Sequence, residues 1–261
     1  MPPASLFIAT PAYGGIVNTS YHRSVMALRA LCDERGVGFE GSIIDGCSMI
    51  THARNWLTTL FLRTSSHTHM LFIDADMGFI AEDVLSMLDY PHHEVSAVLC
   101  PKREYNWTII RDAVRQSPDI EPTVLANLGG QYTGMFNLPP GVNAMTVGRG
   151  PIEVASAGTG IMLIARTFLE RVIAEGGVAT YDFQGLDFPF LEFFRAGVFD
   201  GGLQGEDIWF CNLARKHGAT IHGFPGFAIT HSGMHSFIGD LPGIVAHYDG
   251  PVQTPSTPIK S

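Results

Sequence analysis

The chain has 261 residues, with 16 Lys and Arg against 25 Asp and Glu and a formal net charge of -9. At 46% apolar and 16% charged residues it is too apolar for a disordered chain, and it lacks the clustered Lys and Arg on which general binding to a nucleic-acid backbone rests. Its four cysteines, Cys32, Cys47, Cys100 and Cys211, show no C-x-x-C spacing, so neither a disulfide framework nor a cysteine zinc site is expected. No apolar run approaches the roughly 20 residues of a membrane helix, and no signal peptide is legible, so the expected setting is the cytoplasm.

Short β-like and helical segments alternate through the first hundred residues. Leu6 to Thr10 is a brief apolar run ended by Pro11, the pattern of a buried first strand. Tyr21, Val25, Leu28 and Cys32 recur at helical spacing within Thr19 to Arg35, and Gly36 suits the stop. Gly41 to Ile44 reads as a second strand, ending at Asp45-Gly46, and Ile50, Ala53, Leu57 and Leu60 mark a second helix. His69 to Ile73 is a third strand, followed directly by Asp74-Ala75-Asp76. Ala81 to Leu88 is a short helix with acids at its start, which suits the positive dipole end, and Val95 to Cys100 is a fourth strand.

The stretch between Glu121 and Arg149 carries no charge and many Gly and Pro residues. It reads as a long loop, either functional or a plain insertion. Beyond it, Ile152 to Ile164 predicts a loop of small residues and a buried strand, and Thr167 to Ala174 a helix. Gly205-Glu206-Asp207 opens another helix that runs to His217 and stops at Gly218. Thr220 to His222 and Phe227 to His231 read as closing strands, and the Pro, Ser and Thr-rich tail from Pro242 as a mobile arm. The βαβαβαβ order predicts an α/β fold, an open and mostly parallel sheet flanked by helices. Ligands of such sheets sit outside the carboxyl ends of the strands, where Thr10, Asp45 and Asp74 fall.

Asp74 and Asp76, two residues apart just past a buried strand, can converge on one hard divalent cation with room left for phosphate oxygens. The plainer alternative is a solvated acid pair capping the next helix. His231, at the end of another apolar run, can complete a metal shell or serve the core. Glu206 and Asp207 at a helix start are either dipole-complementing acids or a general base close to the sheet edge. Arg54 in the first turns of the second helix can pair bidentately with a diphosphate, or be a surface arginine. Thr10-Pro11-Ala12-Tyr13 forms either a simple turn or a base pocket with Tyr13 stacking on the nucleobase.

Taken together, A-T-P-A-Y-G-G, I-T-H-A-R-N, L-F-I-D-A-D-M-G-F, A-G-T-G-I-M-L-I-A-R, G-E-D-I-W-F-C and I-T-H-S-G resemble a GT-A-type glycosyltransferase. The likeness covers roughly residues 5–240 and is nearest the family-2-like group of bacteria and their phages, with a more distant similarity to Anp1-type mannosyltransferases. It implies a GT-A, Rossmann-like sheet in a single continuous domain. Residues 1–104 would be the nucleotide-sugar-binding half, 105–150 a Gly/Pro-rich loop region outside every motif, 151–241 the acceptor-binding and catalytic half, and 242–261 a flexible tail.

The resemblance also implies Mn²⁺ or Mg²⁺, a UDP- or GDP-sugar donor and a glycan or other hydroxyl acceptor. Asp76 matches the direct metal ligand of the D-x-D motif, Asp74 its partner toward the ribose or a metal-bound water, and His231 the late histidine ligand. Asp207 matches the base of inverting members, with Glu206 the close alternative. Thr10, Pro11, Tyr13, Asp45 and Arg54 match the donor-binding edge. Asp45-Gly46-Cys47-Ser48 departs from the common D-D-G-S-x-D pattern, and no Q-x-x-R-W motif of processive synthases is present, which points to single transfer. Two other readings of D-x-D are a haloacid-dehalogenase-like phosphatase, where the motif follows the first strand rather than the third, and a nucleotide-sugar binding protein without turnover.

Overall fold

A computed structural model of the chain describes residues 3–128, 130–136, 147–182, 187–199 and 201–235. Its first hundred residues run β1 (Ser5–Ala12), α1 (Thr19–Arg35), β2 (Gly38–Asp45), α2 (Ile50–Thr64), β3 (His69–Ile73), β4 (Met77–Phe79), α3 (Ala81–Leu85) and β5 (Val95–Val98). There follow α4 (Trp107–Gln116), α5 (Pro122–Asn127), β6 (Met135–Phe136), β7 (Ile152–Ser156), β8 (Ile161–Ala165), α6 (Arg166–Ala174), β9 (Ala179–Tyr181) and β10 (Phe190–Glu192). The last elements are β11 (Gly197–Phe199), β12 (Gly202–Gln204), α7 (Glu206–Lys216), β13 (Ile221–Phe224) and β14 (Ile229–His231).

Eight strands form one sheet in the order β2-β1-β3-β8-β5-β13-β7-β6. β1–β2, β1–β3 and β5–β13 pair in parallel, whereas β3–β8, β5–β8, β7–β13 and β6–β7 pair antiparallel. All strands except β7 and β8 therefore point the same way, so the sheet is mostly parallel by strand direction. It draws on both halves of the sequence, because β8 is wedged between β3 and β5.

Strict alternation of apolar side chains explains why helices cover both faces. Phe7 and Ala9 of β1, Met70 and Phe72 of β3, and Met162 and Ile164 of β8 join one core with Leu57 and Phe61 of α2, Phe168 of α6 and Phe210 of α7. Leu6 and Ile8, Leu71 and Ile73, and Ile161 and Leu163 take the opposite face with Leu28 and Cys32 of α1 and Val84 of α3. Gly36 ends α1 at φ 66°, a left-handed turn that costs glycine no Cβ clash. Arg166, at the head of α6, donates to the carbonyls of Phe61, Ser65 and His67 and so satisfies the open end of α2.

Several elements differ from the sequence expectation. β1 continues through Pro11 to Ala12, because it pairs with β3 only as far as Ala9 and Pro11 lies where one side of the strand is already free. The 105–150 segment is not all loop: α4 starts where the Asn106 side chain accepts from the Ile109 N–H, and α5 and β6 follow. α4 is amphipathic in sequence yet buries no side chain. Residues 129 and 137–146 of that segment, and the expected tail 242–261, lie outside the described residues. β4 and the hairpin strands β9 to β12 are three-residue elements, too short to set up a period. All four cysteines are free, and among the described residues no helix is long and apolar enough to cross a membrane.

Candidate active site

β3 ends at Ile73, and the chain turns at once. The Asp74 N–H donates to the Gly160 carbonyl (2.9 Å) and the Met77 N–H to the Asp74 carbonyl (3.0 Å). This turn places both acids of D-A-D just beyond the carboxyl end of a buried strand.

Arg54 of α2 organises the first acid. Its Nη2 lies 3.1 Å from Asp74 Oδ1 and 3.2 Å from Oδ2, and its Nε lies 3.3 Å from Glu206 Oε1. The arginine side chain is only 4% exposed and lies over the Phe72 ring at 5.3 Å. One guanidinium thus ties the end of β3 to the first turn of α7. Burial lifts the Asp74 carboxyl above the ordinary carboxylate value, and the Arg54 charge pulls against that without overcoming it. Arg54 Nη1 is buried without a hydrogen-bond partner, so it is the one nitrogen of the group not engaged by a carboxylate.

A long-range ladder builds the second acid's surroundings. β4 and β14 pair antiparallel with His231 opposite Met77, and the Ser232 N–H donates to the Asp76 carbonyl. Gly78 makes the approach possible, since a Cβ there would stand 2.8 Å from Ser20 Cβ and 3.3 Å from Thr230 Cβ. In consequence His231 Nε2 lies 3.5 Å from Asp76 Oδ2, and Arg103 Nη1 donates to the same oxygen at 2.9 Å. Burial works to raise the Asp76 carboxyl, but His231 and Arg103 together bring it below the ordinary value. The hydrogen bond to Asp76 in turn raises His231.

His231 Nδ1 is 2.7 Å from the Pro101 carbonyl, an acceptor only, so Nδ1 carries the proton. With a second proton on Nε2 the ring donates to Asp76; once that proton is lost Nε2 is bare, which is the form that ligates a metal. Among the described residues no group of three His, Cys, Asp or Glu side chains stands placed to hold a metal ion. A divalent cation there would have the Asp76 carboxylate and the His231 imidazole as two neighbouring protein donors, in place of the Arg103 contact, with the rest of its shell left to substrate oxygens and water.

Glu206 and Asp207 lie at the start of α7, as the sequence indicates. Glu206 is held by Arg54, while Asp207 Oδ1 accepts from the Ile208 N–H at 2.8 Å. Burial raises the Asp207 carboxyl, the Ile208 N–H lowers it and Glu206 raises it, with a net upward shift.

The expected donor edge divides. Tyr13 is exposed, Asp45 ends β2 in the open, and the two loops are joined by the Gly46 N–H donating to the Tyr13 carbonyl. Pro11 is half-buried within β1. Thr10 is fully buried, its hydroxyl 2.6 Å from that of Tyr21, so it braces β1 against α1 rather than facing a ligand. Arg54 likewise is no surface arginine; its burial gives it a bracing position among the acids.

Two contributors carry no sequence signal, and a third, Asn55, ends the I-T-H-A-R-N motif without a role assigned from it. Arg103 lies at the end of the 1–104 half, between motifs. Pro101 acts through its carbonyl. Asn55 clamps the Phe194 backbone, accepting from its N–H at 2.7 Å and donating to its carbonyl at 2.8 Å, as a strand neighbour would.

No protein-family model matches the chain, and no curated protein matches its sequence. Solved structures are similar to it at low identity. A197 from STIV is 14% identical over 88% of this chain and 86% of that one, with a TM-score of 0.48. The catalytic domain of Drosophila β1,4-galactosyltransferase 7, solved with xylobiose, is 12% identical over 96% of this chain and 76% of that one, with a TM-score of 0.46. A glycosyltransferase involved in glycosylation of the major capsid of PBCV-1 is 11% identical over 66% of this chain and 65% of that one, with a TM-score of 0.30.

Proposed function

We propose that the chain is a metal-dependent glycosyltransferase that moves a sugar from a nucleoside diphosphate sugar to an acceptor hydroxyl, in a single transfer with inversion. The observation that carries this reading is the meeting of side chains from separate segments at the carboxyl edge of β3: Asp74 and Glu206 share the Arg54 guanidinium, and, two residues beyond Asp74, Asp76 faces His231 and Arg103. Such an edge is where a mostly parallel α/β sheet takes its ligand.

A divalent cation, Mn²⁺ or Mg²⁺, held by Asp76 and His231 with Asp74 behind it, would offset the charge that builds on the departing diphosphate. The exposed Tyr13 ring and Asp45 carboxylate, on adjoining loops, suit the base and ribose. Arg54 keeps Asp74 and Glu206 in place, which leaves Asp207 as the general base. Its carboxyl, raised by burial, is more basic than an ordinary aspartate and closer to the working pH of a base. Asp207 takes the acceptor hydroxyl proton as that oxygen bonds to the anomeric carbon. The bond from that carbon to the phosphate oxygen breaks on the opposite face, and its electron pair leaves with the nucleoside diphosphate. Water must be kept from the anomeric carbon meanwhile, or the donor is hydrolysed.

The test is a thermal-shift screen of UDP-, GDP-, CMP- and dTDP-sugars with Mn²⁺. A donor at 100 times its Kd adds about 2.7 kcal/mol to stability. For a chain of this size that is a rise of about 5–10 °C in the midpoint. One donor should produce such a shift in the native protein and none in Asp76→Ala. If no donor shifts the midpoint, or if the variant shifts equally, the reading fails.

A further inference from the structure

On the flank of the acid site away from Tyr13 and Asp45 lies a cleft of about 440 Å³. That is within the range of about 300–1,000 Å³ typical of small-molecule sites. Its walls come from the segment after β5, the α5–β6 connection and the end of β14, and Arg103 and His231, which both face Asp76, belong to it. Three aromatic residues stand around it, Tyr105, Trp107 and Tyr132, at 52%, 66% and 53% exposure. Tyr105 and Trp107 stack with ring centroids 5.2 Å apart and planes 26° from parallel.

These rings are not core residues, since α4, which carries Trp107, buries no side chain. They form a standing apolar platform open to solvent. The same wall carries Lys102 and Glu104 beside Arg103, and Arg103 is itself paired with Asp76, so the wall is close to charge balance and neither a polyanion nor a polycation is favoured. A neutral, polyhydroxylated ring suits both features. One face of a pyranose is lined by C–H groups and can lie on an aromatic ring, while its rim of hydroxyls needs donors and acceptors at the sides.

We propose that this cleft binds the acceptor, and that the acceptor is an oligosaccharide whose sugar rings lie on the Tyr105–Trp107 platform. The inference rests on the glycosyl-transfer reading above and deepens it. It assigns acceptor recognition to the motif-free 101–132 segment, where the sequence places it in the second half of the chain. It also leaves the nucleotide to the opposite flank.

Trp107 supplies the readout. Of the three tryptophans it is the exposed one, Trp56 and Trp209 being half-buried. The native protein is titrated with gluco-, manno-, galacto- and xylo-configured tetrasaccharides, and with UDP and GDP plus Mn²⁺, while tryptophan emission is followed. Affinities are measured in parallel by calorimetry. At least one tetrasaccharide should shift the emission. Trp107→Ala should weaken its binding about tenfold, the scale of one lost stacking ring, and Trp107→Phe should restore most of it. The nucleotide-dependent thermal shift should stay at its native value in both variants.

The proposal is overturned if no tetrasaccharide binds, if Trp107→Ala binds the sugar as tightly as the native protein, or if the nucleotides rather than the sugars perturb Trp107. A donor shift that survives in the native protein and is lost in Asp76→Ala would then still uphold the transferase reading. Loss of that shift would sink the transferase reading separately.

Discussion

Arg54→Met tests whether one guanidinium holds the acid site together. Methionine keeps most of the side chain's volume and its contact with the Phe72 ring, so the variant removes charge more than packing. It leaves two carboxylates without their shared counter-charge, and breaking a buried ion pair costs about 3–5 kcal/mol. Here the arginine side chain is 4% exposed but Asp74 and Glu206 are 29% and 17% exposed, so water offsets part of the loss. The lower end, about 3 kcal/mol, is expected. That corresponds to a fall of about 6–12 °C in the thermal midpoint.

The loss has a pH signature of definite sign. Burial holds folded Asp74 above the value it has when unfolded, so the folded state keeps that proton longer. Its ionisation therefore costs stability as pH rises through the folded value, and without Arg54 that value climbs further. The penalty of Arg54→Met should be larger near pH 7 than near pH 4. Urea denaturation followed by circular dichroism at the two pH values gives both numbers. Adding Asp74→Asn should recover about 1 kcal/mol or more through coupling. A loss under about 1 kcal/mol near pH 7, or no coupling with Asp74→Asn, would show that Arg54 does not organise these acids.

Asp207→Asn should leave the donor thermal shift intact and cut transfer by about 10²–10⁴-fold, the usual worth of a general base. Because burial raises folded Asp207, its ionisation costs stability above that raised value, so the amide variant should also melt higher at neutral pH. In the native protein the acid limb of the transfer rate should fall above the ordinary aspartate range, since activity disappears as this raised group takes up its proton. Gly78→Ala forces a Cβ to 2.8 Å from Ser20 Cβ and should cost about 1–3 kcal/mol as an overpacked contact. Mn²⁺-dependent donor binding should weaken with it, whereas Gly150→Ala, which meets nothing within 4 Å, should leave both unchanged. Arg103→Ala frees Asp76 Oδ2 of a competing cation, so Mn²⁺ affinity measured by electron paramagnetic resonance should rise about two- to fivefold; an unchanged affinity would show that the two do not compete.

The sequence by itself determined the layers. Leu6-Phe7-Ile8-Ala9, Met70 to Ile73 and Ile161 to Ile164 are apolar at every position, and a strand so written must bury both faces. Helical spacing in α1, with Gly36 beyond it, set that element's limits, because burial and a left-handed stop are local demands. The acids of β3's end and of α7's start were legible for the same reason: each follows an element whose end the local pattern fixes.

Tertiary structure alone decided which of these groups meet. β8 enters antiparallel between β3 and β5, a register no local period encodes. Three ladder pairs between β4 and β14 bring His231 across more than 150 residues to Asp76, and Arg54 reaches Glu206 over a sequence separation of 152. Thr10 and Arg54 show the limit most plainly. Each lies near the carboxyl edge in sequence terms, yet the fold turns Thr10 into the core against Tyr21 and buries Arg54 between two acids. Periodicity reports how often a chain turns inward; whether a polar group turned inward finds a partner there depends on segments far away in the chain, and only packing brings them together.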